Sequence, residues 1–205
     1  MPVLPMFPLG TVLLPGMALP LHVFEPRYRQ LVRDCLAGDR EFGVVLIARG
    51  PEVGGGDVRT DVGTVARIVR VEELEDGRSL LVAVGVRRIR VGRWLDDDPY
   101  PRAEVADWPD VAPPDPAPPY LHDLGAQVRR VAALLTELGE PAPAVDVALV
   151  DDPVLAVYQA ALLVPTGPAD LHDLLAAPTV EERAARLGDL VRDQIADLEA
   201  RIGGA

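Results

Sequence analysis

The stretch Leu19-Pro20-Leu21-His22-Val23-Phe24-Glu25-Pro26-Arg27-Tyr28-Arg29 marks a switch from strand to helix. Ahead of the switch, Ala18–Val23 is a short apolar run interrupted by a proline, which fits an edge strand because proline removes a donor from the ladder. Behind it, Pro26 suits a first helical position and Gly38 the position just past a helix end. Between them Tyr28, Leu31, Val32, Cys35 and Leu36 recur at helical spacing. One face of a helix from about Pro26 to Ala37 is therefore expected to pack on a sheet. Glu25 then reads as its cap, favoured by the positive end of the helix dipole.

Further apolar runs at Val3–Phe7, Thr11–Leu14, Phe42–Ala48, Gly63–Val71, Ser79–Val91 and Pro101–Trp108 predict more short strands, a spacing suited to a small barrel or folded sheet. Leu80–Val86 is continuously apolar, whereas arginines interleave beyond Gly85, so a bulge is expected there. The triplet Gly54-Gly55-Gly56 lacks the Lys-Ser or Lys-Thr of a phosphate-binding loop and reads as a hairpin loop. From Pro109 to Pro119 six of eleven residues are proline, which places a boundary between subdomains near residue 112. After it, Leu121, Leu124, Val128, Val131, Leu135 and Leu138 follow the three-four spacing of a packed helix. Asp152-Pro153, Gly167-Pro168 and Thr179 with Glu182 signal three more helix starts, the last running to about Ile202. Residues 113–205 are thus expected to form a helical bundle.

The 20 basic residues are all arginine and face 32 acids, a formal charge of −12. Residues 1–109 carry 14 Arg against 16 acids and the remainder 6 against 16, so the second half should repel nucleic acid and anionic membranes. One cysteine, Cys35, excludes an internal disulfide, and the proline-broken amino terminus reads as neither secretory signal nor membrane span. A cytoplasmic protein is the expectation.

The run from Leu4-Pro5-Met6-Phe7-Pro8-Leu9-Gly10 to Arg29 resembles the start of the Lon-protease N-terminal substrate-binding domain. The resemblance continues through Phe42-Gly43-Val44-Val45, Val62 to Ile68, the Gly77 turn, Gly85 with Arg88, and Tyr100 with Ala103-Glu104-Val105. Tyr158 to Leu163 and Asp173-Leu174-Leu175 look like that domain's last helices. It implies an α+β fold: a PUA-like β-barrel or folded sheet with one helix over residues 1–112, then an α-helical bundle over 113–205. Full-length Lon proteases add an ATPase with a phosphate-binding lysine and a peptidase with a serine-lysine pair. With no lysine and Ser79 as its one serine, this chain can build neither site, and it resembles a stand-alone form of the domain.

The resemblance implies a non-enzymatic module that binds unfolded or damaged polypeptides or serves as an adaptor to a protease, with no cofactor and no metal. Met6, Phe7, Phe24 and Tyr28 are the candidate peptide-binding residues, with the crevice between barrel and bundle, because unfolded chains offer apolar side chains and backbone amides. The alternative is an RNA-binding barrel using Arg67, Arg70, Arg87, Arg88 and Arg90, the one basic cluster, disfavoured by the acids around it and by the scarcity of aromatic platforms. His22 with Glu25 could form a base and its orienter, and Cys35 a nucleophile, but a helix cap and a buried small hydrophobe fit those positions better. His122 and His172 lack the spacing of paired helical metal ligands.

Overall fold

The computed structural model describes residues 1–52, 56–113, 118–144, 146 and 148–204. The chain divides into two compact units, Met1–Pro109 and Asp110–Ala205. Gly54 and Gly55 of the glycine triplet, and residues 114–117 of the proline run, lie outside the described residues.

In the first unit the strands are β1 (Val3–Leu9), β2 (Ala18–Val23), β3 (Glu41–Arg49), β4 (Val58–Glu73), β5 (Ser79–Trp94) and β6 (Arg102–Asp107), with helix α1 (Pro26–Ala37) between β2 and β3. They form one sheet in the order β2-β5-β4-β3-β1-β6, and β5 also pairs with β6. The ring β5-β4-β3-β1-β6 therefore closes into a barrel, and β2 lies outside it. Among the described residues only the β1–β3 pair is parallel, and β2 with α1 forms the crossover such a pair requires.

Alternation along the strands builds two cores. Met6, Val45, Val65, Ile89, Ala103 and Val105, one or two from each barrel strand, fill the interior. Phe7, Leu9, Phe42, Val44, Ile68, Leu81 and Ala83 face the other way and meet Tyr28, Leu31, Val32 and Cys35 of α1, so the expected helix face packs on the sheet. Thr11–Leu14, expected as a strand, is not one. Val12, Leu13 and Leu14 are buried, but the Leu13 carbonyl accepts from the Thr64 hydroxyl at 2.6 Å in place of a ladder bond. Glu25 occupies the residue before α1 without a side-chain capping bond, and its carboxylate accepts instead from Arg27 Nε at 3.1 Å.

The bulge at Gly85 is present: Val65 is opposite Arg87 whereas Ala66 is opposite Gly85, leaving Val86 as the extra residue. A Cβ on Gly85 would lie 2.4 Å from the Leu14 carbonyl oxygen, so the close approach requires glycine.

The second unit holds α2 (Pro119–Glu137), α3 (Pro153–Leu162), α4 (Pro168–Leu175) and α5 (Val180–Gly203). The starts of α3, α4 and α5 carry the signals read from sequence, whereas α2 begins on the last proline of the run, for which no start is read. Asp152 caps α3 through the Leu155 amide, Thr179 caps α5 through the Glu182 amide, and proline opens α2, α3 and α4. At its centre Arg183 is 0% exposed, a charge that hydrophobic periodicity does not announce. Its guanidinium bonds Asp110 Oδ1 at 2.7 Å and the Leu174 carbonyl at 2.9 Å, and lies 4.2 Å from the Tyr158 ring centroid. The Tyr158 hydroxyl bonds the other Asp110 oxygen at 2.9 Å. Among the described residues no helix is long and apolar enough to cross a membrane.

Removing one partner of a buried ion pair strands the other charge in the interior. Asp110→Ala is expected to destabilise the helical unit by about 3–5 kcal/mol. Urea denaturation followed by far-ultraviolet circular dichroism measures it; a loss below about 1 kcal/mol would show that the pair is solvated.

Candidate polypeptide-binding surface

The switch from β2 to α1 exposes apolar area and, among the described residues, a strand edge without a second partner. Two depressions meet at Leu21 and His22. One, of about 130 Å³, is lined by Phe7, Leu9, Leu21, Val23, Phe24 and Tyr28, with Glu25 and Glu52 at its polar border. The other, of about 500 Å³, lies on the solvent side of β2, β5 and β4 and is lined by Pro20, Leu21, His22, Leu80 and Val82, with Arg70 and Glu72. Register explains the second depression: His22 pairs with Leu80 and Leu80 with Glu72, while Pro20 pairs with Val82 and Val82 with Arg70. The solvent face of this antiparallel region is thus apolar at its centre, where the usual alternation would place polar side chains.

The expected site residues occupy different positions here. Phe24 is 49% exposed, at the junction of strand and helix, with its ring 6.0 Å from that of His22. Phe7 and Tyr28 stack at 4.0 Å with nearly parallel planes and form the buried floor beneath it, and Arg27 lies 4.5 Å above the Tyr28 ring. Burial raises the Tyr28 hydroxyl to about 12, so it stays protonated at physiological pH. Met6 is 0% exposed in the barrel interior, where its sulfur fills the space that a Cβ on Gly43 would need, and it lines neither depression. Leu80, 42% exposed, belongs to the surface although its sequence context reads as a buried strand.

The backbone of β2 adds a second element. Among the described residues its one strand partner is β5. The Gly85 amide donates to the Met17 carbonyl, which sets the ladder so that residues 17, 19, 21 and 23 point their polar groups at β5. Ala18, Pro20 and His22 therefore direct theirs outward. Pro20, which has no N–H to give, sits in the outward set, as an edge proline should.

The other sequence candidates are dispersed. Cys35 is buried, its thiol pushed up to about 12 first by burial and then by Asp34, and it donates to the Glu41 carbonyl at 3.3 Å. Of the arginine cluster, Arg67 and Arg87 both bond Glu41, and Arg87 also bonds Asp107; nearby on β5, Arg93 bonds Glu104. Arg88, 1% exposed, lies 4.1 Å from the centroid of Trp108, and Arg90 lies 3.6 Å from the same ring. The cluster is thus divided among carboxylates and one indole, with Arg70 alone bordering the apolar face. Among the described residues no group of three His, Cys, Asp or Glu side chains is placed to hold a metal ion. His172 Nδ1 lies 3.9 Å from its neighbour Asp173. The helical unit has its own groove of about 370 Å³ between α2 and α5, mixed in charge and without a strand edge.

A family profile described as "ATP-dependent protease La (LON) substrate-binding domain" matches residues 3–193. The chain belongs to the Lon substrate-binding domain family. It is 32% identical over 206 aligned residues to Lon protease 2 of Myxococcus xanthus, covering 98% of this chain and 22% of that protein. This Lon domain thus spans less than a quarter of that relative's length. The crystal structure of a Lon N-terminal domain protein from Xanthomonas campestris superposes with a TM-score of 0.70 at 31% identity, covering 91% of this chain and 97% of that one. The N-terminal domain of a Mycobacterium avium complex Lon protease shares the fold, with a TM-score of 0.64 at 21% identity over 94% and 99% of the two chains. The α+β architecture of barrel and helices is that of Lon N-terminal domains.

Glu41 gives the barrel a pH dependence. Burial opposes its ionisation, but hydrogen bonds from Arg67 and Arg87 outweigh that and hold its carboxyl below the usual range. A depressed carboxylate contributes stability above its unfolded value, about 4.3, and loses that contribution as pH falls through the folded one. Glu41→Gln is expected to lower stability at neutral pH and to flatten the decline below about pH 4.3. Urea midpoints measured across that range test this; parallel declines in the two proteins would exclude Glu41 as a source.

Proposed function

We propose that this Lon domain binds exposed apolar stretches of unfolded or damaged polypeptides, acting as a recognition module and not as a catalyst. The observation that carries this reading is the apolar surface from Phe24 to Leu80, open to solvent and bordered by the free edge of β2. A folded protein keeps its large apolar residues inside and its strand edges paired, so a surface offering both complements an unfolded chain better than a folded one. The family's description as a substrate-binding domain and the likeness to Lon proteases support the same reading, including service as the recognition part of, or adaptor to, a protease. We place this activity in the cytoplasm, consistent with the free, buried Cys35 thiol.

Fluorescence anisotropy of a labelled, permanently unfolded polypeptide titrated with the protein tests this directly. Saturable binding is expected, with a folded control of the same composition left unbound. Phe24→Ser should weaken binding by about tenfold, since one half-exposed aromatic contributes about 1.5 kcal/mol when covered, and should leave the melting temperature nearly unchanged. Equal affinity for folded and unfolded chains would overturn the proposal.

A further inference from the structure

Resting on that reading, we infer that the bound segment adds as a strand to the outer edge of β2, and that the segment preferred is apolar with basic flanks. The structure argues for a strand in three steps. The outward polar groups are the Ala18 and His22 amides and the Ala18, Pro20 and His22 carbonyls, a row that an extended backbone satisfies and a helix or a folded surface does not. The two depressions lie on opposite faces of this edge and meet at Leu21 and His22. Side chains of an added strand point alternately to opposite faces, so successive residues would reach the Leu80–Val82 face and the Phe7–Phe24 hollow in turn. Six residues of β2 span about 20 Å, enough to hold five or so residues of a partner in register.

Charge selects the flanks. The side chains lining the two depressions include Arg70 against Glu25, Glu52 and Glu72. Glu25 is paired with Arg27 and Arg70 is opposed by Glu72, which leaves Glu52, whose carboxylate accepts from the Gly10 amide, as an acidic surplus of one charge on a chain of formal charge −12. An approaching segment with acidic ends is repelled, and one with basic ends is drawn in.

Pro20 sets the strength of this edge. As the outward residue without an amide, it withholds one donor in the middle of the row, which weakens pairing between copies while leaving its carbonyl to accept. Pro20→Ala restores that donor.

The experiment uses a fluorescein-labelled peptide of about eight alternating apolar and small polar residues with arginines at both ends, titrated into the full chain. Companion peptides carry backbone N-methyl groups on one or the other alternate set of residues, or carry glutamates in place of the arginines. Strand addition predicts that methylation of one set abolishes detectable binding while methylation of the other is tolerated. It also predicts that Pro20→Ala tightens binding by about fivefold, and that the glutamate-flanked peptide binds at least tenfold more weakly at low salt. Equal affinities for the unmethylated and both methylated peptides would overturn strand addition and leave polypeptide binding intact. Equal affinities for the two flank types would overturn the charge preference. Failure of every peptide to bind, together with failure of the unfolded polypeptide, would overturn the underlying reading. The methylation arm needs no variant, so the test stands even if Pro20→Ala folds poorly.

Discussion

β5 has to serve two neighbours along a single edge. Over Ser79–Val84 it pairs with β2, and over Ile89–Trp94 with β6, while β4 follows it along the other side. The exchange occurs around Gly85, where the extra residue of the bulge turns the strand and the Leu14 carbonyl comes too close for any side chain. Because β6 takes only the second half of β5, the barrel closes without β2. A strand with one neighbour and a half-apolar solvent face is the result, and the candidate binding surface is a product of that partition.

The same partition explains what could be read from the amino acids. Most local signals were reliable: Pro26 and Gly38 bracket α1, the Tyr28–Leu31–Val32–Cys35 stripe is its buried face, and Asp152 and Thr179 cap their helices, although Glu25 does not cap α1. The bulge at Gly85 was visible as a change of pattern within one strand. What stayed hidden depends on partners distant in sequence. Thr11–Leu14 has a strand's composition, yet Thr64, 51 residues away from Leu13, takes its carbonyl. Leu80 sits in a continuous apolar run that gives no sign of which face meets water. Met6 and Phe7 are adjacent and equally apolar, and only the sheet separates them, one into the barrel and the other toward Tyr28.

Electrostatics shows the same division. The run Arg87-Arg88-Ile89-Arg90 reads as a basic patch, but alternation sends Arg88 under Trp108 while Arg87 reaches Glu41 across the sheet. Charge counted along a strand overstates the field it presents when cross-strand carboxylates answer it. Arg183 is the converse: a single cation in an amphipathic helix, unremarkable by composition, that the fold places at the centre of the helical unit.

Its partner, Asp110, is the second residue of the proline run and stands at the very start of the unit whose interior it completes. The segment that follows Trp108 is therefore more than a tether, since its second residue supplies the counter-ion of the helical core. Any dissection of the chain into its halves has to cut before Asp110. A cut among the prolines that follow would hand the bundle a buried guanidinium with its counter-ion left on the other piece.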